Sequence, residues 1–102
     1  MHIISRKPLR EFWERHPNAE LPLRRWHKVV DKAHWQNLTE ARRTFPHADL
    51  VKVASGATLV VFNVGGNNYR LVAWVRFEFG RVYVRKVMTH AEYSQNRWKE
   101  DL

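Results

Sequence analysis

Beyond Pro46 the hydrophobic period of this chain changes from that of a helix to that of a strand, and the change leaves few folds open. Before it, Leu9, Phe12, Trp13 and His16 recur at i, i+3, i+4 and i+7, one stripe of a helix that Pro17 should end. A second stripe runs through Leu23, Trp26, Val29, Val30 and Ala33. Asn18 is its expected N-cap, and Pro22 falls in the first turn, where a missing N–H costs little. The two helices should form an antiparallel hairpin joined at "HPN". "NLTE" then reads as a capping box, Asn37 with Glu40, opening a short helix that stops at Pro46. After it, "DLVKV", "TLVVFNV", "YRLVAWVRFEF" and "RVYVRKV" are rich in β-branched and aromatic residues at period two. "MHII" can add an N-terminal strand. "THAE" is a second capping box, Thr89 with Glu92, opening a C-terminal helix expected to run through Trp98. Helices first and strands afterwards predict one α+β domain over residues 1–102, with a helical hairpin packed on a small, mainly antiparallel sheet.

The stretch "VVFNVGGNNYRLV" at 60–72 tests whether the chain uses a nucleotide. A phosphate-binding glycine loop needs a helix after it, whose N-terminus supplies N–H groups and a positive dipole. Here a strand follows. Gly65, Gly66 and Asn67 tolerate positive φ between two apolar runs, so the loop is a hairpin turn that delivers Arg70 to the start of a strand. Alternation along that strand points Tyr69, Leu71, Ala73, Val75 and Phe77 towards the helices. Arg70, Val72, Trp74 and Arg76 then face the open side. Arg81, Tyr83, Arg85 and Val87 repeat the mixture on the next strand. Cations interleaved with rings suit single-stranded RNA, and they also suit a sheet face covered by long amphipathic side chains.

Charge weighs towards nucleic acid. Eighteen Lys and Arg against ten Asp and Glu give +8, which attracts nucleic acid or acidic proteins. No segment approaches a membrane span, and the charged N-terminal stretch lacks the apolar core of a signal peptide, so a cytoplasmic location is expected with no membrane partner. The absence of cysteine removes disulfides and thiolate metal sites. His2, His16, His27, His34 and His47 have no close carboxylate cluster beside them, so neither a metal nor a cofactor is expected. His90 is a proton-donor candidate at the first position of a capped helix, with Tyr93 at i+3 on the same face. Arg24, Arg25, Lys28 and Lys32 form a basic stripe on the second helix, either solvated or a surface for ribosomal RNA or an acidic partner segment.

"VVFNVGGNNYRLVAWVRF" and "VYVRKVMTHAEY", with the upstream "LREFWERHPNAELPLRRWHKVV", resemble the HigB-like toxins of bacterial type II toxin–antitoxin modules, part of the wider RelE-like group of mRNA interferases. "FNVGGNNYRLV" and "THAEY" are its most specific pieces. The resemblance implies a RelE-like α+β toxin that cleaves translated mRNA on the ribosome without a metal. It also implies a HigA-like helix-turn-helix antitoxin, through which alone operator DNA is met. Arg70 aligns with the arginine that the group places on the scissile phosphate, and Lys52 with a strand lysine. Tyr93 is the family-like choice to orient or activate the 2′-OH, and His90 to protonate the leaving group. Arg76, Arg85, Trp74 and Tyr83 are the expected RNA contacts. The competing readings are a non-catalytic nucleic-acid-binding module and an inactive toxin homologue acting as corepressor.

Overall fold

A computed structural model describes residues 1–102. Strand β1 (His2–Ile4) is followed by helices α1 (Lys7–Arg15), α2 (Glu20–Lys32) and α3 (Leu38–Thr44). Strands β2 (Asp49–Lys52), β3 (Thr58–Val64), β4 (Tyr69–Arg76) and β5 (Arg81–Thr89) follow, then the short helices α4 (His90–Ser94) and α5 (Trp98–Asp101). The sheet order is β1-β5-β4-β3-β2, antiparallel throughout except for the parallel pair of β1 with β5. The α+β arrangement, the helical hairpin and the N-terminal strand are as expected from the sequence. β4 lies at the centre, so its residues are flanked by strands on both sides.

The helices cover one face. Leu9, Phe12, Leu23, Trp26 and Val30 pack there on Phe62, Leu71, Ala73, Val82 and Val87. Phe62 is ringed by aromatics, with Trp26 at 5.5 Å, Phe45 at 5.3 Å and Trp35 at 6.0 Å between ring centroids. Burial of these rings, with the aliphatic side chains around them, drives the packing of the layers.

Several local expectations are corrected. Asn18 does not cap α2: Pro17–Ala19 form a 3-10 turn that runs into the helix, and Ala19 occupies the cap position without a side-chain bond. Val29, on the expected apolar stripe, is exposed, so the buried stripe is Leu23, Trp26 and Val30. Asn37 does accept the Glu40 N–H at 2.9 Å, but Glu40 reaches back to the N–H of Gln36 rather than that of Asn37. "FEF" is not strand: Phe77–Phe79 form a 3-10 turn closed by Gly80 at φ +63°. The C-terminal helix breaks at Asn96, which takes φ +63°, giving α4 and α5 in place of one helix through Trp98.

The second sheet face is not open along its whole length. Val53, Leu59, Val61, Val72, Met88 and Trp98 form a smaller core there, with Tyr93 and Leu102 packed against it. The chain beyond β5 crosses back over this face and covers the end of β4 that carries Arg70.

Candidate active site

Three segments meet at that covered end, each for a local reason. Gly65 and Gly66 take φ +63° and +66° in the β3–β4 turn. A Cβ on Gly65 would lie 3.1 Å from the Tyr69 ring and 3.4 Å from Pro22, so a side chain would be crowded as well as strained. At the end of β5, Thr89 accepts from the Glu92 N–H and Glu92 accepts from the Thr89 N–H, both at 3.2 Å: the expected capping box. The His90 N–H donates to the Asn68 carbonyl at 3.0 Å, fastening the start of α4 to the hairpin turn. The third segment is α5. Trp98 stacks on Tyr93 (centroids 5.4 Å apart, planes at 21°) and donates its indole N–H to the Tyr93 carbonyl at 3.0 Å. The Ala54 N–H donates to the Lys99 carbonyl at 2.8 Å, which straps α5 to the β2–β3 loop.

Arg70 sits where these segments converge. It is the one buried charged residue, at 7% exposure, and none of the ion pairs involves it. Its Nη1 donates to the carbonyls of Asn67 (3.2 Å) and Tyr69 (3.0 Å), and its Nη2 to the Asn67 side-chain oxygen. The guanidinium lies 5.3 Å from the centre of the Tyr93 ring. A guanidinium has five N–H donors, so Nε–H and one Nη2–H remain for a ligand. All the partners are neutral. A cation withdrawn from water among neutral acceptors is poised for an anion, and the planar fork suits a phosphate oxygen pair.

The sequence-predicted residues separate into three groups. Arg70 and Tyr93 are brought into contact, and His90 is held at the neighbouring turn with its side chain exposed. Trp74, Arg76 and Tyr83 share the same sheet face at its other end, with Trp74 and Tyr83 rings 5.3 Å apart. Lys52 is not with them. It pairs with Thr58, in the phase of Leu50 and Val60, which is the helix-covered side; the neighbours Val51 and Val53 are the ones on Arg70's face.

Arg85 and Val87 also depart from expectation. The β4–β5 register passes from Ala73↔Val84 to Val72↔Lys86, so Arg85 is the extra residue of a bulge. Beyond it the faces swap: Val87 packs towards the helices, and Lys86 joins Val72 on Arg70's face. Arg85 itself is exposed on the bulge. Sequence reasoning missed Lys86, Asn67 and Trp98. Nothing local marks the bulge, but a tryptophan inside the polar "NRWKED" is a signal that this tail must dock on something apolar.

On the opposite side of the sheet, Arg24 pairs with Glu20 at 2.7 Å and lies 4.6 Å over the Trp13 ring, whereas Arg25 of the same basic stripe lines a pocket with Gly65 and Gly66 of the hairpin turn. No three His, Asp or Glu side chains converge anywhere in the structure, and no helix is long and apolar enough to cross a membrane.

The chain is similar to known proteins. The chain is 35% identical over 95 residues to the mRNA interferase HigB of Escherichia coli O6:H1, covering 93% of this chain and 90% of that protein. It is 37% identical over 94 residues to the mRNA interferase toxin HigB of E. coli K12, covering 92% and 88%. Residues 19–96, which include the turn, Arg70, His90 and Tyr93, match the HigB toxins, described as the RelE-like toxic component of a toxin–antitoxin system. On this match and these identities the chain belongs to the HigB toxin family.

Proposed function

We propose that this protein is the toxin of a toxin–antitoxin pair and an endoribonuclease that cuts mRNA on the ribosome, with a HigA-like antitoxin as its inhibitor. The observation that carries the chemistry is Arg70: a buried, unpaired guanidinium with two free donors beside the start of a capped helix. The ribose 2′-oxygen attacks the adjacent phosphorus, the P–O5′ bond breaks, and a 2′,3′-cyclic phosphate and a 5′-OH result. Arg70 neutralises the charge that builds on the non-bridging oxygens. His90, exposed at the neighbouring turn, gives a proton to the departing 5′-oxygen, while Tyr93 orients the 2′-OH, whose own proton passes to solvent water as the new P–O bond forms. Lys86 and the exposed Arg85 draw the strand along the sheet, while operator DNA is met only through the antitoxin.

The reaction as written calls on no metal, so cleavage should persist in excess chelator once the magnesium that stabilises ribosomes is controlled for. Induced expression without antitoxin should arrest growth, and cut messages should carry 2′,3′-cyclic phosphate or 3′-phosphate ends. A 2′-deoxy nucleotide at the scissile position should block the cut. Normal growth, with intact messages and RNA still bound, would make the chain a non-catalytic binding module or an inactive corepressor. Products with 5′-phosphate and 3′-OH ends would mean that water was the nucleophile.

A further inference from the structure

At the end of the sheet face away from Arg70, four side chains form one continuous stack. The Arg76 guanidinium lies 4.8 Å from the Trp74 ring centre and 4.9 Å from that of Phe79, over both rings. Trp74 continues onto Tyr83, with ring planes tilted by 33°. The 3-10 turn at Phe77–Phe79 and the left-handed Gly80 reverse the chain, which brings residue 79 back over Arg76. Arg76 Nε donates to Glu78 at 2.6 Å, so the guanidinium is fixed in the stack before any ligand arrives.

The fold does not need this stack. Phe79 is 63% exposed and Trp74 38%, and neither belongs to a core cluster. Planar groups of alternating π and cationic character match an unpaired nucleobase, which is planar and attached to an anionic backbone. The surroundings agree in charge. Arg81 pairs with Arg76 in register, Lys86 lies one step towards Arg70, and the nearby Glu78 is already held by Arg76. Trp74 and Arg70 point to the same side of one strand, four residues and about 13 Å apart.

We propose that the Phe79–Arg76–Trp74–Tyr83 stack is a base-stacking subsite, holding one unpaired base of the RNA while Arg70 holds the scissile phosphate. The proposal rests on the reading of Arg70 given above and adds a second, distant anchor on the strand. Because stacking accepts any base, the subsite selects an unpaired strand at a fixed offset from the cut and not a particular letter.

The test is abasic scanning of a short single-stranded RNA made uncleavable by a 2′-deoxy scissile nucleotide, bound to the wild type and to variants. One position, on one side of the cut, should lose about ten-fold in affinity when its base is removed. That penalty should vanish in Trp74→Ala and in Phe79→Leu, which keeps the bulk but not the ring, and should survive in Arg70→Ala. With a cleavable message the loss should fall on KM and not on kcat. A scan with no sensitive position, or a penalty unchanged in both ring variants, overturns the subsite. So do ring variants that bind RNA normally but lose a protein partner. Whether the wild type cuts, and Arg70→Ala does not, is read separately and decides the catalytic reading on its own.

Discussion

Buried guanidinium groups usually have a carboxylate, and Arg70 has instead two carbonyls, an amide oxygen and the face of Tyr93. On the proposed reading such a site serves function at the expense of stability, since an uncompensated buried charge is costly to desolvate. Arg70→Met should therefore melt no lower than the wild type while cleavage falls about 100- to 1000-fold, the usual effect of losing one preorganised charge contact. Thermal denaturation and cleavage assays on the same variant check both halves. Arg70→Lys should not restore the rate, because a lysine cannot reproduce the fork. A second residue reports on pH. His27 on α2 has its pKa lowered from 6.5, first by burial and then by the Arg6 charge, with Asp31 opposing. Its folded form gives up the proton more readily than the unfolded chain, so its contribution is full above about pH 6.5 and lost as pH falls through the lower folded value. His27→Gln should flatten that part of the stability curve, measured by urea unfolding across mildly acidic pH.

Among the elements, the α4–α5 segment decides how well the site is held. Trp98 is 2% exposed, stacks on Tyr93 and is strapped beneath the β2–β3 loop through Lys99. Tyr93 in turn lies over Arg70, so Trp98 is a positioning residue for both. Trp98→Ala should cost about 3–5 kcal/mol, the range for a buried large ring. Trp98→Phe, which preserves a ring under Tyr93, should recover most of the cleavage rate; recovery of stability without activity would mean that the indole N–H bond to the Tyr93 carbonyl matters more than the stack. The hairpin turn is the other determinant. Gly65→Ala combines a left-handed backbone with a contact at 3.1 Å to Tyr69, and should destabilise by about 1 kcal/mol or more. Because Asn67, which holds Arg70, lies two residues on in the same turn, cleavage should fall further than stability does.

At the scale of the whole molecule, the sheet divides two kinds of surface. The helix side buries the large aromatic core, whereas the other side carries Arg70, Lys86, Trp74, Arg76, Tyr83 and Arg81 in one band along β4 and β5. With a net charge of +8, RNA or ribosome binding should weaken steeply with added salt, because each neutralised phosphate releases condensed counterion. Measured as a salt slope, Lys86→Ala should reduce the dependence by about one counterion, and Lys52→Ala, on the other sheet face, should leave it nearly unchanged. An affinity independent of salt would remove nucleic acid as the partner of this face.

Residues close in sequence decided much of this protein. The switch from period 3.6 to period two, the glycine turn at 65–66, the Thr89–Glu92 box and the placing of Arg70 away from the helices all depend on bonds or dihedrals within a few positions. Each is legible because the interaction is local, and with them came the α+β class, whereas only the family resemblance grouped Arg70 with Tyr93. What the chain does across long separations was not legible. The bulge at Arg85 swapped the faces of Lys86 and Val87, and the register of β2 turned Lys52 away from Arg70, because one residue of slip reverses every side chain beyond it. The burial of Arg70 belongs to the same class. A solvated arginine and a buried one have the same neighbours in sequence. Only the return of Trp98 over the sheet, driven by apolar area that its own segment could not cover, took this one out of water.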